Sequence, residues 1–235
     1  MKKMGSLFVI GFMCAALFMT ISVNAATSTT SYYVSPTGSD SNAGTKSKPF
    51  KSLMKAQSAA ASGDTVYIRG GVYNDFDIAK IDSIYNYVND ITKSGITYKA
   101  YAGERPVFEF KNVPTNLRVA AFFVEDQVTG VTFKGFDVTG IEVGDQAQSE
   151  AFRIRGQADI VNVAAHDIEA IGFYFTGRGT GTVLNSDAYI TLDQLRYPLK
   201  IQMVWVLMEG LFRSLNPVHG ITVTMDSTVS AQMDQ

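Results

Sequence analysis

The chain has 235 residues, of which 46% are hydrophobic and 18% charged, and this composition permits one folded unit with a sizeable core. Its formal net charge of −2 lacks the basic excess of nucleic-acid-binding proteins, so we expect no nucleic-acid partner.

The N-terminus predicts a secretory signal peptide over residues 1–25. A lysine pair precedes a long apolar run, and Val23 and Ala25 place small residues before a cleavage point. An uncleaved membrane anchor is the alternative. The only cysteine, Cys14, lies in this segment, so the mature chain would have no disulfide and no cysteine zinc ligand. We expect a secreted, extracellular protein with no membrane contact after cleavage.

The mature chain begins with a predicted strand over 32–35, followed by a polar, turn-rich loop. A short amphipathic helix is then predicted to open at 47–50, with Ser47 as its N-cap and Pro49 in its first turn, and to run through Ala61. We expect this helix to cover the open end of the structure that follows, where strand edges would otherwise be exposed.

Short stretches of alternating apolar and polar residues follow, separated by turns rich in Gly and Asn. A longer excursion is predicted over 74–89, and loops at 140–150 and 177–181 are where we expect insertions and a binding surface. The predicted strand segments are 63–73, 94–101, 107–110, 119–124, 131–138, 152–154, 160–163, 171–175 and 183–184.

The chain repeats itself between Val131 and Tyr189. Three blocks, 133–138, 163–168 and 184–189, recur roughly every 20–30 residues with turns rich in Gly, Asn and Thr between them, and they are too short for a helix. Such self-similarity indicates stacked coils. We therefore predict an all-β fold, a single-stranded right-handed parallel β-helix over 26–189, with the short helix at its N-terminal end.

Several of these segments resemble the N-terminal part of the family 9 pectate lyases, which are secreted right-handed β-helix proteins. The segments 32–38, 63–73 and 98–101 carry the likeness in fold, while 133–138 and 183–189 resemble coils of that family. The resemblance covers about Tyr32 to Tyr189. It implies cleavage of pectate by β-elimination, with a calcium ion on the uronate carboxylate and a lysine as the base.

In such proteins the calcium ligands are aspartates in coils that follow the Asn-Ser-Asp-Ala-Tyr coil, which ends here at Tyr189. Residues 190–235 do not continue the pattern. Our hypothesis is that the reading frame slips near Ile190, since a shifted reading across 202–210 gives an Asp-Gly-rich coil. A genuine divergent tail is the alternative. After a slip, the calcium ligands and the lysine would be lost together, so we assign no catalytic or cofactor-binding residue and no metal ligand set.

Four polar residues in the repeats are candidates for chemistry. Asp137 and Asp167 occupy the same place in their blocks, which predicts a shared column and a cation site, or, as we favour, two solvated turn aspartates. His166 and Asp187 share the neighbouring position with Phe136, and they are either a His–carboxylate pair or, as we favour, unrelated to catalysis.

Two further groups could contact a sugar chain. Phe173, Tyr174 and Phe175 would form either a sugar platform or, as we favour, an internal stack. Five cations could meet an acidic polysaccharide, although solvated surface is the default for each: Lys99, Lys134, Arg153, Arg155 and Arg178.

Together these observations predict a secreted polysaccharide lyase lineage whose substrate is pectate, with this chain an inactive fragment of it. The alternative is a non-catalytic carbohydrate-binding or cell-surface β-helix protein.

Overall fold

The computed structural model describes residues 29–144, 146, 148–189, 207–208 and 221–223. The predicted signal peptide and nearly all of the tail after Tyr189 lie outside the described residues. No helix within the described ranges has the length and hydropathy needed to cross a membrane. One helix, α1, spans Leu53–Ala59. The strands are β1 (Ser31–Val34), β2 (Thr65–Ile68), β3 (Val72–Tyr73), β4 (Lys80–Ile81), β5 (Tyr85–Ile91), β6 (Thr97–Ala100), β7 (Val107–Glu109), β8 (Arg118–Val124), β9 (Val131–Lys134), β10 (Asp137–Thr139), β11 (Glu150–Ile154), β12 (Ala158–Val161), β13 (Ala164–His166), β14 (Ile171–Phe175), β15 (Gly181–Leu184), β16 (Asp187–Tyr189), β17 (Leu207–Met208) and β18 (Ile221–Val223).

These strands stack into three sheets, because each successive coil adds one strand to each sheet. The seven-stranded sheet has the order β1-β2-β6-β9-β12-β15-β18, the five-stranded sheet β16-β13-β10-β7-β3 and the six-stranded sheet β17-β14-β11-β8-β5-β4. Pairing between coils is parallel up to β16, while β4 and β18 pair antiparallel with β5 and β15. Three stacked parallel sheets around one core are the architecture of a parallel β-helix.

Phenylalanine rings form the centre of the core. The rings of Phe122 and Phe152, on neighbouring strands, stack with centroids 4.8 Å apart and planes 10° from parallel. The ring of Phe136 meets that of Phe108 edge-on at 5.2 Å. All four side chains are fully buried. Burial of each such ring contributes about 1.5–3 kcal/mol, so inward-facing aromatic residues are a main source of stability here.

Helix α1 begins later than the sequence predicted. Its N-cap is Ser52, whose hydroxyl accepts a hydrogen bond from the Lys55 amide at 3.0 Å. The predicted cap, Ser47, lies instead in a turn, and Phe50 runs alongside β1, where its amide donates to the carbonyl of Tyr33. Backbone pairing with β1 therefore holds the residues before Ser52 extended, so Pro49 is not in the helix.

The predicted excursion over 74–89 also ends early, because β5 begins at Tyr85. This strand is buried on both faces. Tyr85 and Tyr87 form a small outer cluster with Ala120 and Phe123. The excursion was predicted from its Asp, Asn and Tyr content. Tyr85 and Tyr87 bury their rings, however, and this part of the segment forms a strand.

The block alignment was wrong by three residues in its middle copy and by one residue in its last copy, which begins at Val183 and not at Leu184. The strands pair Phe133 with Ile160, and Ile160 with Val183, so the block that matches 133–138 is 160–165 and not 163–168. The marker of the repeat is a left-handed backbone, with φ of 83° at Gly135, 52° at Asn162 and 48° at Asn185. Gly and Asn tolerate this conformation, and they stack in one column.

Candidate functional site

The outer face of the seven-stranded sheet carries a column of aromatic and basic side chains. Alternation turns Val66, Tyr98 and Phe133 into the core, which leaves their neighbours outside. The register aligns Tyr33 with Tyr67, Tyr67 with Lys99, and Lys99 with Lys134, one coil apart each time. We call this column, together with the adjoining Lys46, Arg69 and Tyr101, the Tyr–Lys face.

The rings of the Tyr–Lys face pack against one another and against its cations. Tyr33 and Tyr67 stack with centroids 5.2 Å apart, and Tyr101 lies edge-on to Tyr67 at 5.8 Å. The ammonium of Lys99 lies 4.9 Å from the Tyr67 ring, and the guanidinium of Arg69 lies 4.9 Å from the Tyr101 ring. Cations above aromatic faces are attracted by the ring quadrupole, so these contacts orient the side chains.

Lys46 joins the Tyr–Lys face from the loop before α1. Its ammonium donates a 2.7 Å hydrogen bond to the Tyr101 hydroxyl, and this bond raises the pKa of Lys46. The charge of Lys46 therefore persists through the physiological pH range.

A shallow cleft of about 280 Å³ opens beside Lys99 and Lys134. It lies where β6 and β9 lead into their turns. Its lining residues are Lys99, Ala100, Tyr101, Ala102, Gly103, Glu104, Arg105, Lys134, Gly135 and Asn162.

The charges around this cleft do not balance. Glu104 pairs with Arg69 at 2.8 Å, and that hydrogen bond lowers the pKa of Glu104. Arg105 forms a bidentate pair with Asp137, its shortest contact being 2.6 Å. Lys99 and Lys134, by contrast, face no carboxylate within ion-pair distance among the described residues. The cleft therefore presents two adjacent uncompensated cations to solvent.

A second polar cluster, which we call the Glu150 centre, lies on the outer face of the six-stranded sheet. It consists of Glu150, Gln148, Arg153, Arg118 and Tyr85. The Glu150 Oε1 atom accepts hydrogen bonds from Gln148 Nε2 at 2.7 Å and Tyr85 Oη at 3.0 Å, and it lies 3.4 Å from Arg153 Nη1. The predicted loop 140–150 thus delivers two of the five members.

Burial dominates the electrostatics of the Glu150 centre. The Glu150 side chain is 0% exposed, and this burial raises the pKa of its carboxyl although Arg153 lowers it. Burial, with the charge of Glu150, raises the pKa of Tyr85 to about 12, so the phenol stays protonated and donates. The two side chains are thereby locked in one hydrogen-bonding arrangement.

The candidates predicted from the sequence divide between these two clusters. Lys99 and Lys134 meet on the Tyr–Lys face, whereas Arg153 and Tyr174 meet at the six-stranded sheet, 5.3 Å from guanidinium to ring. Phe173 and Phe175 are buried in the core, so these two rings cannot form a sugar platform and the favoured internal stack holds for them, whereas Tyr174 is partly exposed.

The remaining two predicted cations join neither cluster. Arg155 pairs with Asp126 at 2.8 Å, and Arg178 is exposed on the turn between β14 and β15.

The predicted aspartate column does not exist. Asp137 aligns with Ala164 and, one coil further, with Asp187, while Asp167 lies beside Gly140, whose amide donates to its carbonyl. The error comes from the three-residue slip in the block alignment. A search for the Gly/Asn column would have avoided it, because a left-handed turn marks the same point of each coil.

The predicted column of His166, Asp187 and Phe136 is also wrong, because the middle block slips by three residues and the last block by one, which aligns Asp187 with Asp137 instead. His166 aligns with Thr139 and Tyr189. Its Nδ1 contacts the carboxylate of its sequence neighbour Asp167 at 2.7 Å, so a His–carboxylate pair forms, with a different partner from the one predicted.

Calcium, which the resemblance implies, finds no matching ligand set in the described residues. Calcium requires six to eight oxygen ligands, commonly from several carboxylates. No group of three or more His, Cys, Asp or Glu side chains within the described ranges could hold a metal ion. Asp137, the aspartate nearest to the cleft, is already paired with Arg105. We therefore derive no step that involves calcium.

Sequence reasoning missed the tyrosines of the Tyr–Lys face and the buried Glu150. Tyr33, Tyr67 and Tyr101 recur at equal intervals along the sequence, a signal that could have indicated stacking. Nothing in the local sequence marks Glu150 as buried, because its cover comes from distant strands.

Comparison with known proteins places the fold. Residues 32–198 match a family described as "Pel9A-like, right handed beta helix region". The uncharacterized protein YwoF of Bacillus subtilis is 40% identical over 86 residues, which cover 34% of this chain and 16% of YwoF. The pectate lyase PEL9 of Emericella nidulans is 36% identical over 87 residues, which cover 35% of this chain and 19% of the lyase.

Two solved structures resemble the chain over most of its length. A rhamnogalacturonan lyase matches with a TM-score of 0.60 and 36% identity, covering 68% of this chain and 41% of the lyase. The pectate lyase Pel9A matches with a TM-score of 0.55 and 28% identity, covering 70% of this chain and 40% of Pel9A. The chain spans about two fifths of these two structures and less than a fifth of the two curated relatives.

Proposed function

The chain belongs to the Pel9A-like right-handed β-helix family, and from this premise we propose that its Tyr–Lys face binds an acidic polysaccharide such as pectate. The predicted right-handed parallel β-helix and the predicted resemblance are both confirmed. The family match and the likeness to pectate and rhamnogalacturonan lyases support a polysaccharide lyase lineage.

The observation that carries the proposal is the alignment of Lys99 with Lys134, which have no carboxylate partner among the described residues, beside the stacked tyrosines. Adjacent coils place aligned residues on neighbouring strands about 4.8 Å apart, so the two lysines contribute two positive charges to the same face. Such a pair attracts the carboxylates of a polyuronate. The tyrosine rings offer apolar faces with a polar edge, which suits the mixed surface of a sugar ring.

We propose further that the described coils hold this polymer without cleaving it. β-Elimination needs a base for a weakly acidic proton and a cation to stabilise the developing carbanion. The described residues do not fit the calcium site, and no lysine matches the family's base by its motif. This misfit favours the second candidate function, a non-catalytic carbohydrate-binding β-helix protein. Because the polymer lies outside the cell, export by the predicted signal peptide is part of the proposal.

Incubation of the full chain with polygalacturonate, with calcium or with EDTA, tests both parts. We expect the polymer to be retained by immobilised protein in both conditions, and no unsaturated uronide to appear by ultraviolet absorbance. A neutral polysaccharide of similar length is the control and should pass through. Calcium-dependent release of unsaturated uronides would show an active lyase instead. Failure to retain polygalacturonate would contradict the binding proposal.

A further inference from the structure

We propose that Arg118 and Arg153, on the outer face of the six-stranded sheet, form a second site for the carboxylate of an acidic sugar. This site belongs to the Glu150 centre and is separate from the Tyr–Lys face. It shares the substrate class of the proposed function but uses different residues, so the two proposals fail independently.

Both arginines are arranged around one phenol. The Arg153 guanidinium lies 4.7 Å from the Tyr85 ring, and its Nη1 donates to the Tyr85 hydroxyl at 3.1 Å. The Arg118 guanidinium lies 5.9 Å from the same ring, and the Tyr85 hydroxyl raises the pKa of Arg118. Two guanidinium groups that share one neutral oxygen lie close together and keep further N–H donors for a ligand.

The charge of the centre favours an anion. Arg153 forms an ion pair with Glu150, and Arg118 lies close enough to stabilise the same carboxylate, so the centre holds two arginines and one carboxyl and keeps a net positive charge in either protonation state of Glu150. Arg153 is held between the Tyr85 and Tyr174 rings, and its side chain is only 16% exposed. A guanidinium fixed in this way loses little entropy on binding, and its planar fork matches a carboxylate.

Two buried atoms of the centre, Glu150 Oε2 and Arg153 Nε, have no hydrogen-bond partner within the part of the chain that the structure describes. Glu150 pairs with Ala120 of the outer cluster and is nevertheless fully buried. A buried polar atom without a partner costs about 1–3 kcal/mol, so such atoms cluster where something else completes them. Glu150 Oε2 can accept a hydrogen bond and Arg153 Nε can donate one. The hydroxyls and the carboxylate of a sugar residue supply a partner for each.

Tyr174 adds the surface against which the sugar ring would lie. It aligns with Arg153 on the neighbouring strand and is half-buried, so part of its ring faces solvent. An arginine fork beside a partly exposed aromatic ring is a chemistry suited to a uronate, with the carboxylate on the arginines and the ring on the tyrosine. Glu150 acts as a positioning residue, because it holds Tyr85 and Arg153 in place.

The test measures trigalacturonate binding by calorimetry in the full chain carrying Lys99→Met and Lys134→Met, which removes the cations of the Tyr–Lys face. In this background we expect Arg153→Lys to weaken the affinity about tenfold, because lysine keeps the charge beside Glu150 but loses the fork. Arg118→Met, at a half-buried position, should weaken it similarly. Arg178→Met is the matched control, since it removes an exposed arginine from a turn, and it should leave the affinity unchanged.

Any one of four results would overturn the proposal. The first is an affinity that neither Arg118→Met nor Arg153→Lys alters, with folding verified by circular dichroism. The second is equal binding of a neutral trigalactose, which would show that the carboxylate is not read. The third is inorganic sulfate competing as strongly per molecule as trigalacturonate, which would mark a simple anion site. If only Lys99→Met and Lys134→Met reduced binding, the Tyr–Lys face would account for the whole affinity.

Discussion

Glu150 shows how a single residue can reverse the expectation set by its position. Phe152 and Ile154 of β11 face the core, so strict alternation would turn Glu150 inward as well, yet its carboxyl joins the outer cluster around Tyr85 and has no exposure. Tyr85, Arg153 and Gln148 cover it and take its Oε1 atom as a common acceptor. A carboxyl buried in this way favours its protonated form, because desolvation penalises the charge more than these partners offset it.

Glu150→Gln should therefore change the pH dependence of stability. The folded-state pKa of Glu150 lies above its ordinary value of 4.5, so between the two values the folded state binds more protons. The stabilising contribution of this carboxyl is complete below the unfolded-state pKa and is lost as the pH rises through the raised value. Relative to the native chain, the variant should become more stable as the pH rises across that window.

Urea unfolding at a series of pH values measures this difference. Glu142→Gln, at an exposed position, is the control and should track the native chain. The raised pKa of Glu150 would be contradicted if the difference in the free energy of unfolding between Glu150→Gln and the native chain were constant with pH. It would also be contradicted if the variant became less stable than the native chain as the pH rises.

At the scale of an element, α1 shows how tertiary pairing decides where a helix begins. Both Ser47 and Ser52 have the side chain that an N-cap needs, and Pro49 favoured the earlier start. Asp40 decides between them. One of its carboxylate oxygens accepts from the Lys51 and Ser52 amides, and the other accepts from the Ser52 hydroxyl at 2.7 Å.

Ser52→Ala should accordingly lower the free energy of unfolding by about 1–2 kcal/mol, because it removes the cap and the bond to Asp40. Ser47→Ala is the matched control at the predicted cap and should cost less than about 0.5 kcal/mol. Chemical denaturation of both variants gives the comparison. A larger loss of stability for Ser47→Ala than for Ser52→Ala would contradict Ser52 as the N-cap and support Ser47, the cap predicted from the sequence.

The strands were predictable from alternation, but their register was not. Residues such as Val66, Tyr98 and Phe133 are apolar at every second position, which is sufficient to assign strands and inward faces. Register depends on which turn residue adopts the left-handed conformation, and Asn162 is only one of several Asn and Gly residues nearby. The aspartate column failed on this ambiguity, since a shift of three residues exchanges both faces and partners.

At the scale of the whole molecule, stacking turns sequence repeats into continuous surfaces. The Tyr–Lys face exists because β1, β2, β6 and β9 present one side chain each at the same height of the coil. Lys99 and Lys134 were predicted as candidate contacts one by one. Their adjacency required the register, and the role of Lys46 required the path of a loop that arrives from another coil.

Function was predictable at the level of lineage and no further. The motifs at 63–73 and 133–138 indicate the β-helix family, which the comparisons confirm. The resemblance implies that the family's calcium ligands and lysine base follow the coil that ends here at Tyr189, and we assigned no counterpart in this chain. The residues after Tyr189 lie almost wholly outside the described residues. Our proposal for the described coils is instead that the Tyr–Lys face binds a polyanion, and this binding can be tested directly.

The decisive measurement is the affinity of an oligogalacturonate for the native chain and for Lys99→Met/Lys134→Met, in EDTA and at low salt. We predict that the double variant binds about five- to thirtyfold more weakly, because it loses two surface charge contacts worth about 0.5–1 kcal/mol each. Added salt should reduce the difference in affinity between the native chain and the double variant, because it screens the charges. The control Lys111→Met/Arg178→Met removes equal charge from exposed positions elsewhere and should bind like the native chain. Equal affinities for all three proteins would contradict the Tyr–Lys face as the polysaccharide site.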